Sequence, residues 1–133
     1  MVVRDLEAAK AQLTEAVGYR WDETRTYELP IRLFDGVRTL TLRYAYSLET
    51  PYVELVEEIP GTPWVAAPPL VATHHIGYLC DDLAAASEWL ERAGYALEAC
   101  AEVEGAMALF AYHLSASGVR IEIVDRSIFQ PPS

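Results

Sequence analysis

The chain repeats one pattern twice, and this repeat constrains the fold more than any other feature. An Asp-Leu-x-Ala-Ala run begins at Asp5 and again at Asp82, and a Gly-Tyr pair closes each segment, at Gly18 and at Gly94. Each segment is followed by a tract rich in β-branched and aromatic residues, which are typical of strands. The period is long and occurs only twice, so the pattern indicates two copies of one module rather than a solenoid.

Both repeated segments have the signals of a short helix. Asp5 and Asp82 are predicted N-caps, and apolar residues recur behind each of them at helical spacing. Gly18 and Gly94 are predicted to end the helices, because glycine readily adopts the left-handed conformation found there. The predicted strands around these helices are Met1–Arg4 (the tail of a first strand), Tyr27–Leu33, Thr39–Tyr46, Tyr52–Glu57, His75–Cys80, Ala106–Leu114 and Val119–Asp125.

These elements predict an α+β fold made of two βαβββ modules. The first module is expected over residues 1–58 and the second over residues 74–126. Between them, residues 59–73 form a Pro-rich connector that is not suited to the interior of a sheet, and residues 127–133 form a C-terminal tail.

Composition excludes several classes of partner. The chain has 133 residues and a net charge of −10, with its basic residues scattered, so we expect neither nucleic acid nor a membrane surface as a partner. No apolar run approaches the length of about 20 residues that a membrane span needs, and we see no secretion signal. Two cysteines are too few for a disulfide framework and favour free thiols in the cytoplasm.

The order of elements resembles the vicinal oxygen chelate superfamily, which includes glyoxalase I, methylmalonyl-CoA epimerase, extradiol dioxygenases and bleomycin-resistance proteins. The resemblance covers residues 1–126, and residues 74–83 are its most specific stretch. It implies a glyoxalase-like fold, in which the two modules form a curled mixed sheet around a central cleft. It implies little about the reaction, because this fold supports many chemistries.

The resemblance also implies a set of metal ligands. In the superfamily each module presents one ligand from its first strand, often His, and another from its last strand, usually Glu. Glu54 matches the last-strand ligand of module one, His75 the first-strand ligand of module two, and Glu122 its last-strand ligand. The counterpart of His75 in module one would lie upstream of Met1, so either the chain begins earlier or it supplies at most three ligands.

One imidazole and two carboxylates suit a divalent metal such as Zn, Ni, Fe, Mn or Co. Such a site would accept a substrate with two neighbouring oxygens, and Glu54 and Glu122 would be the catalytic residues that move a proton next to a carbonyl. The alternative is that each Glu is the solvent-facing residue of a half-buried strand, with Arg120 pairing with Glu122 at the surface.

The remaining histidines and the cysteine have less specific roles. His74 and His75 are adjacent, so they face opposite sides of a strand, and the resemblance favours His75 as the ligand. His113 is expected to be a packing or surface residue. No base accompanies Cys80 in sequence, so a nucleophilic role is not expected.

Aromatic residues from the strands and the connector would flank the cleft. They suit a moderately large apolar ligand, although strand aromatics are often core residues. The candidate substrate-binding residues are Tyr44, Tyr46, Tyr52, Trp64 and Tyr78.

Three functions remain open from the sequence. The first is a metal-dependent isomerase, epimerase or lyase, with a dioxygenase as a further variant, that acts on a small or moderately apolar oxygen-bearing substrate. The second is a metal-free protein that sequesters a hydrophobic drug or natural product, and the third is an accessory module with a vestigial cleft. In each case the expected assembly is a homodimer.

Overall fold

The computed structural model describes residues 1–66, 74–116 and 118–129, and it is an α+β structure with a mixed sheet, as predicted. Its helices are α1 (Leu6–Val17) and α2 (Leu83–Arg92), with a short 3-10 helix at Arg126–Ile128. Its strands are β1 (Val2–Val3), β2 (Arg25–Leu33), β3 (Gly36–Tyr46), β4 (Glu54–Glu57), β5 (Ile76–Cys80), β6 (Tyr95–Val103), β7 (Ala106–Ser115) and β8 (Arg120–Asp125).

The strand order confirms the two βαβββ copies. Copy one has the order β1-β4-β3-β2 and copy two the order β5-β8-β7-β6. In both copies the first strand pairs in parallel with the last, whereas β3 pairs antiparallel with β4 and β7 antiparallel with β8. A helix covers the crossover between the parallel strands in each copy, which is the connection that a parallel pair requires.

Both predicted helix starts are confirmed. The Asp5 carboxylate accepts from the Ala8 N–H at 2.9 Å, and the Asp82 carboxylate accepts from the Ala85 N–H at 3.0 Å. Gly18 ends α1 in the left-handed conformation, with φ of 77°. These bonds satisfy backbone groups that a helix end would otherwise leave unpaired.

The chain divides into two compact units. Among the described residues, unit 1 contains residues 1–28, 41–66 and 74, and unit 2 contains residues 29–40, 75–116 and 118–129. The tip of the β2–β3 hairpin therefore belongs to unit 2, where Ile31 of β2 pairs with Ala101 of β6.

Each unit has its own buried residues. In unit 1, Leu6 of α1 and Leu55 of β4 are fully buried. In unit 2, one face of the sheet packs against α2 through Leu83, Cys100, Ala111 and Ile123. No helix within the described ranges has the length and apolar character that crossing a membrane requires.

Several bounds differ from the prediction, and β4 begins at Glu54, so Tyr52 lies before that strand. The strand β6, Tyr95–Val103, was not predicted, because its alanines and glutamates lack the β-branched signature of a strand. The first strand of copy two begins at Ile76, so His75 lies at its entry rather than inside it. Residues 67–73 of the predicted connector, residue 117 between two predicted strands and residues 130–133 of the tail lie outside the described residues.

Candidate metal centre and the sheet face around it

His75 and Glu122 form a close pair in unit 2. The His75 Nε2 atom lies 3.2 Å from Glu122 Oε2, and the two side chains are only 6% and 12% exposed. Glu122 is therefore not the solvent-facing residue of a half-buried strand. A largely buried carboxylate needs hydrogen-bond donors or a compensating cation, and His75 Nε2 lies where a donor or a shared cation could serve Glu122.

Strand pairing explains how the two residues meet. Gly77 lies directly opposite Glu122 in the parallel β5–β8 pair, and Tyr112 lies opposite Glu122 in the antiparallel β7–β8 pair. Directly opposed residues project from the same face, and His75 precedes Gly77 by two positions. The opposite face is the one that packs against α2, so His75 and Glu122 lie on the face of unit 2 that α2 does not cover.

Gly77 leaves room for the Glu122 carboxylate. A Cβ atom built at Gly77 would lie 3.4 Å from Glu122 Oε2, which is the near limit of an ordinary contact. Any larger side chain that extended towards Glu122 would therefore meet the carboxylate. The absence of a side chain at this position allows the carboxylate to lie over β5, towards His75.

Aromatic rings support the pair from β7. The Tyr112 ring centroid lies 5.0 Å from that of His75, with an interplanar angle of 38°, and Phe110 lies 5.9 Å from Tyr112. Tyr112 is 2% exposed. A buried, flat neighbour restricts the orientation of the imidazole ring, which favours one geometry at Nε2.

Arg120 forms its ion pair with Glu98. The Arg120 guanidinium donates two hydrogen bonds to the Glu98 carboxylate, both at 2.7 Å, and these bonds raise the pKa of Arg120. The register of β6 against β7 shifts between Leu97 and Ala99, so Glu98 is the extra residue of a β-bulge. Bulges redirect side chains, and this one directs Glu98 towards Arg120.

Unit 1 repeats the aromatic part of this arrangement beside Glu54. Tyr46 lies opposite Glu54, and Tyr44 lies two positions before it on the same face. The Tyr44 and Tyr46 rings are 5.8 Å apart, and burial, with smaller effects from Tyr27 and Glu54, raises the pKa of Tyr44. The run Tyr44-Ala45-Tyr46 opposite Glu54 thus corresponds residue by residue to Phe110-Ala111-Tyr112 opposite Glu122.

This correspondence supplies residues that the sequence analysis missed. Tyr112, Phe110 and Glu98 were not singled out, although the aromatic-Ala-Tyr run occurs once before each Glu-bearing strand. That run was the available signal for the first two residues. Glu98 had none, because a bulge leaves no mark on a sequence pattern.

Other predicted ligand-binding residues have different surroundings. Trp64 is a core residue of unit 1, 1% exposed, whereas Tyr52 is about half exposed. Tyr78 is also about half exposed. It lies opposite Ile123, so its side chain projects from the sheet face opposite to the one that carries Glu122. Tyr78 therefore does not lie on the sheet face that carries His75.

The other histidines and the cysteines have structural surroundings. His74 Nε2 lies 2.7 Å from the Pro63 carbonyl oxygen in unit 1. His113 is fully buried in unit 2, where its Nε2 lies 2.8 Å from Ser87 Oγ, as expected of a packing residue. Cys80 and Cys100 are free thiols whose pKa values are raised by burial, which is unfavourable for a nucleophile.

The geometry of the pair fits a shared cation. Imidazole nitrogen and carboxylate oxygen bind zinc-like ions at about 2.0–2.2 Å, so two donors at tetrahedral or octahedral angles are about 3.0–3.4 Å apart. The observed 3.2 Å separation falls within that range. The chemistry of the donors, one nitrogen and one oxygen, suits a divalent ion of intermediate softness.

Fold and site together define a protein of two βαβββ copies with a candidate metal centre on a sheet face. The family model of the glyoxalase/bleomycin resistance protein/dioxygenase superfamily matches residues 1–112. The chain therefore belongs to this superfamily, as its resemblance to the vicinal oxygen chelate proteins predicted. No curated protein matches the chain in sequence.

Two solved structures are similar to the chain. The trypanothione-dependent glyoxalase I of Leishmania major is 15% identical with a TM-score of 0.34, and the match covers 96% of this chain and 83% of the other. A glyoxalase/bleomycin resistance protein/dioxygenase domain from Frankia sp. is 16% identical with a TM-score of 0.35, over 93% and 91% of the two chains. Both TM-scores are below 0.5, so the family match alone supports the assignment.

Proposed function

We propose that the protein is a divalent-metal-dependent enzyme that removes a proton next to a carbonyl group, as an isomerase, epimerase or lyase does. The observation that carries this proposal is the largely buried His75–Glu122 pair, whose 3.2 Å separation fits two ligands of one cation. A bound divalent ion would stabilise the negative charge that develops on a substrate oxygen as the proton leaves.

The third proposed ligand is Glu54 of unit 1. Its assignment rests on the repeat, because Glu54 lies opposite Tyr46 just as Glu122 lies opposite Tyr112. Glu54 and Glu122 are also the proposed proton acceptors, since a carboxylate near a metal can take a proton from an adjacent carbon. A histidine with two carboxylates leaves coordination positions for a small oxygen-bearing substrate.

The cellular setting is part of the same proposal. The free thiols Cys80 and Cys100 favour a reducing compartment, and we propose the cytoplasm. The net charge of −10 supports a small molecule, rather than a nucleic acid or a membrane, as the partner. A homodimer is the proposed assembly.

Metal analysis of the purified protein tests the proposal. We expect protein prepared without chelator to take up one equivalent of Zn²⁺ or Co²⁺. The Glu122→Gln variant should bind the metal at least about a hundredfold more weakly, since even residues that only orient a ligand contribute 10- to 100-fold. The matched control is Glu88→Gln on α2, where the Glu88 side chain is 72% exposed and should not affect metal binding.

Two outcomes would contradict the assignment. Full metal affinity in folded Glu122→Gln would remove Glu122 from the ligand set, and full affinity in Glu54→Gln would remove Glu54. Proton transfer is measured separately, as exchange of carbon-bound hydrogen for deuterium in small α-hydroxyketones by NMR. Metal binding without exchange in any ketone tested would exclude these substrates and leave the site assignment intact.

A metal-free binding protein is the second candidate. It is favoured by an apolar groove in unit 2, which is about 550 Å³ in volume. This candidate predicts that the wild type takes up no metal and binds an apolar ligand unchanged in the presence of EDTA. The same metal analysis therefore separates the two functions.

A further inference from the structure

The groove in unit 2 has the size of a small-molecule site. Its volume of about 550 Å³ lies within the range of about 300–1,000 Å³ that is usual for ligand pockets. The hairpin tip of copy one forms one wall, and the ends of β6 and β7 form the other. Its lining includes Arg32, Leu33, Phe34, Ala96, Glu98 and Leu114.

The groove approaches the candidate metal centre through Ala96 and Leu114, which lie on the sheet face of Glu122. Its lining also includes Leu97 and Arg32, which lie on the face that packs against α2. Leu114 in the groove lies opposite Arg120, and two positions further along the same strands Tyr112 lies opposite Glu122. Two residues of a strand span about 7 Å, and positions i and i+2 project from one face. A molecule that spans this distance, from the Glu122 carboxylate to the groove, would lie across the Arg120–Glu98 ion pair.

The charges in the groove wall are already paired. Glu98 accepts two hydrogen bonds from Arg120, and both side chains are less than 20% exposed. Arg32 forms an ion pair with Glu102. A charged ligand group would have to break one of these pairs, so the groove is matched to an uncharged group.

Phe34 adds an apolar surface at the rim. Its side chain is wholly exposed at the turn between β2 and β3. An apolar ligand group that packs against this exposed ring removes apolar surface from water, which stabilises the complex. The rim is thus complementary to the same kind of ligand as the wall.

We propose that this groove binds the uncharged apolar part of the substrate, whose oxygen-bearing head reaches the His75–Glu122 pair. The substrate class is accordingly a small molecule with a chelating polar head and an aliphatic or aromatic tail. This inference rests on the proposed function for the head and on the groove for the tail. The two parts are therefore tested with different probes.

The groove alone is tested with N-phenyl-1-naphthylamine, an uncharged fluorophore, in metal-free protein. We expect binding to the wild type and at least about fivefold weaker binding in Phe34→Ser and Ala96→Glu, which remove apolar contact and add an unpaired charge. Matched controls in unit 2 are Val103→Ser and Ala106→Glu, which change exposed residues outside the groove lining. Equal losses in the controls, or none in the groove variants, would overturn the groove assignment.

The link to the metal is tested with two hydroxamic acids, whose neighbouring oxygens chelate divalent ions. In Zn²⁺-loaded protein we expect octanohydroxamate to bind at least about tenfold more tightly than acetohydroxamate, because each buried methylene contributes. Ala96→Glu should remove this difference and leave acetohydroxamate binding intact. Equal binding of the two acids to Zn²⁺-loaded wild type would overturn the link.

The failures are distinguishable. If the protein takes up no Zn²⁺ but the fluorophore binds as expected, the proposed function fails and the groove assignment stands. If Phe34→Ser dissociates a dimer in sedimentation and leaves fluorophore binding unchanged, the groove is a contact between two copies of the chain. That result would overturn the inference.

Discussion

Gly77 offers the sharpest test of the site, because its effect follows from one distance. An added Cβ would lie 3.4 Å from Glu122 Oε2, close to the contact distance of carbon and oxygen. Gly77→Ala should therefore keep the carboxylate in place. Valine adds two γ carbons about 1.5 Å further out, which leaves less than a contact distance for a γ carbon on the side of the carboxylate.

A γ carbon directed at the carboxylate would force a displacement of about 1 Å. Misplacements of that size cost up to about a hundredfold at functional sites. We therefore expect Gly77→Val to bind Zn²⁺ or Co²⁺ 10- to 100-fold more weakly and to alter the visible absorption of Co²⁺-loaded protein. Gly77→Ala should remain within about threefold of wild type.

The fold should survive both substitutions. Gly77 has no positive φ, and valine is favoured in strands, so the unfolding midpoint should not fall. Ile76→Val, on the same strand and exposed, is the matched control. Wild-type metal affinity and an unchanged Co²⁺ spectrum in Gly77→Val would refute the placement of the Glu122 carboxylate against Gly77.

Two further predictions concern stability. Burial lowers the pKa of His113, so as the pH falls the unfolded chain takes up a proton on this histidine before the folded protein does. Keeping His113 neutral therefore favours the folded state fully above about pH 6.5, and the folded state loses stability as the pH falls below that value. His113→Leu should make the free energy of unfolding in urea less dependent on pH between 6.5 and 5, and an unchanged pH slope would contradict the burial argument. Ser87→Ala should lower the free energy of unfolding by about 1–3 kcal/mol, because it removes the hydrogen-bond partner of His113 Nε2. At the helix starts, Asp5→Ala and Asp82→Ala should each lower the free energy of unfolding by about 1 kcal/mol, measured in urea, and a loss at only one of them would show that the two caps are not equivalent.

The repeat made the local features predictable. The caps at Asp5 and Asp82 and the helix end at Gly18 depend on interactions within a few residues, so the sequence pattern contains them. The strand β6 was missed because most of its residues are Ala, Glu, Leu and Cys, which have little preference for a strand, and its pairing with β2 and β7 determines its conformation.

The candidate site was predictable in its residues but not in its contacts. His75 and Glu122 were identified through the family resemblance, and the structure brings them together. The partner of Arg120 was not predictable, because the choice between Glu98 and Glu122 depends on the bulge at Glu98. Non-local register decides such pairs, and a single sequence does not contain it.

The two copies are not equal in length, and one of the differences lies at the hairpin tip. Tyr46 lies ten residues after Gly36, the first residue of β3, whereas the corresponding Tyr112 lies only six residues after Ala106, the first residue of β7. The longer hairpin of copy one carries Arg32, Leu33 and Phe34, which form a wall of the groove. An exact duplication would have given the two hairpins the same length. Ligand preference in this chain can therefore evolve by lengthening or shortening one hairpin, while the residues proposed for the chemistry stay unchanged.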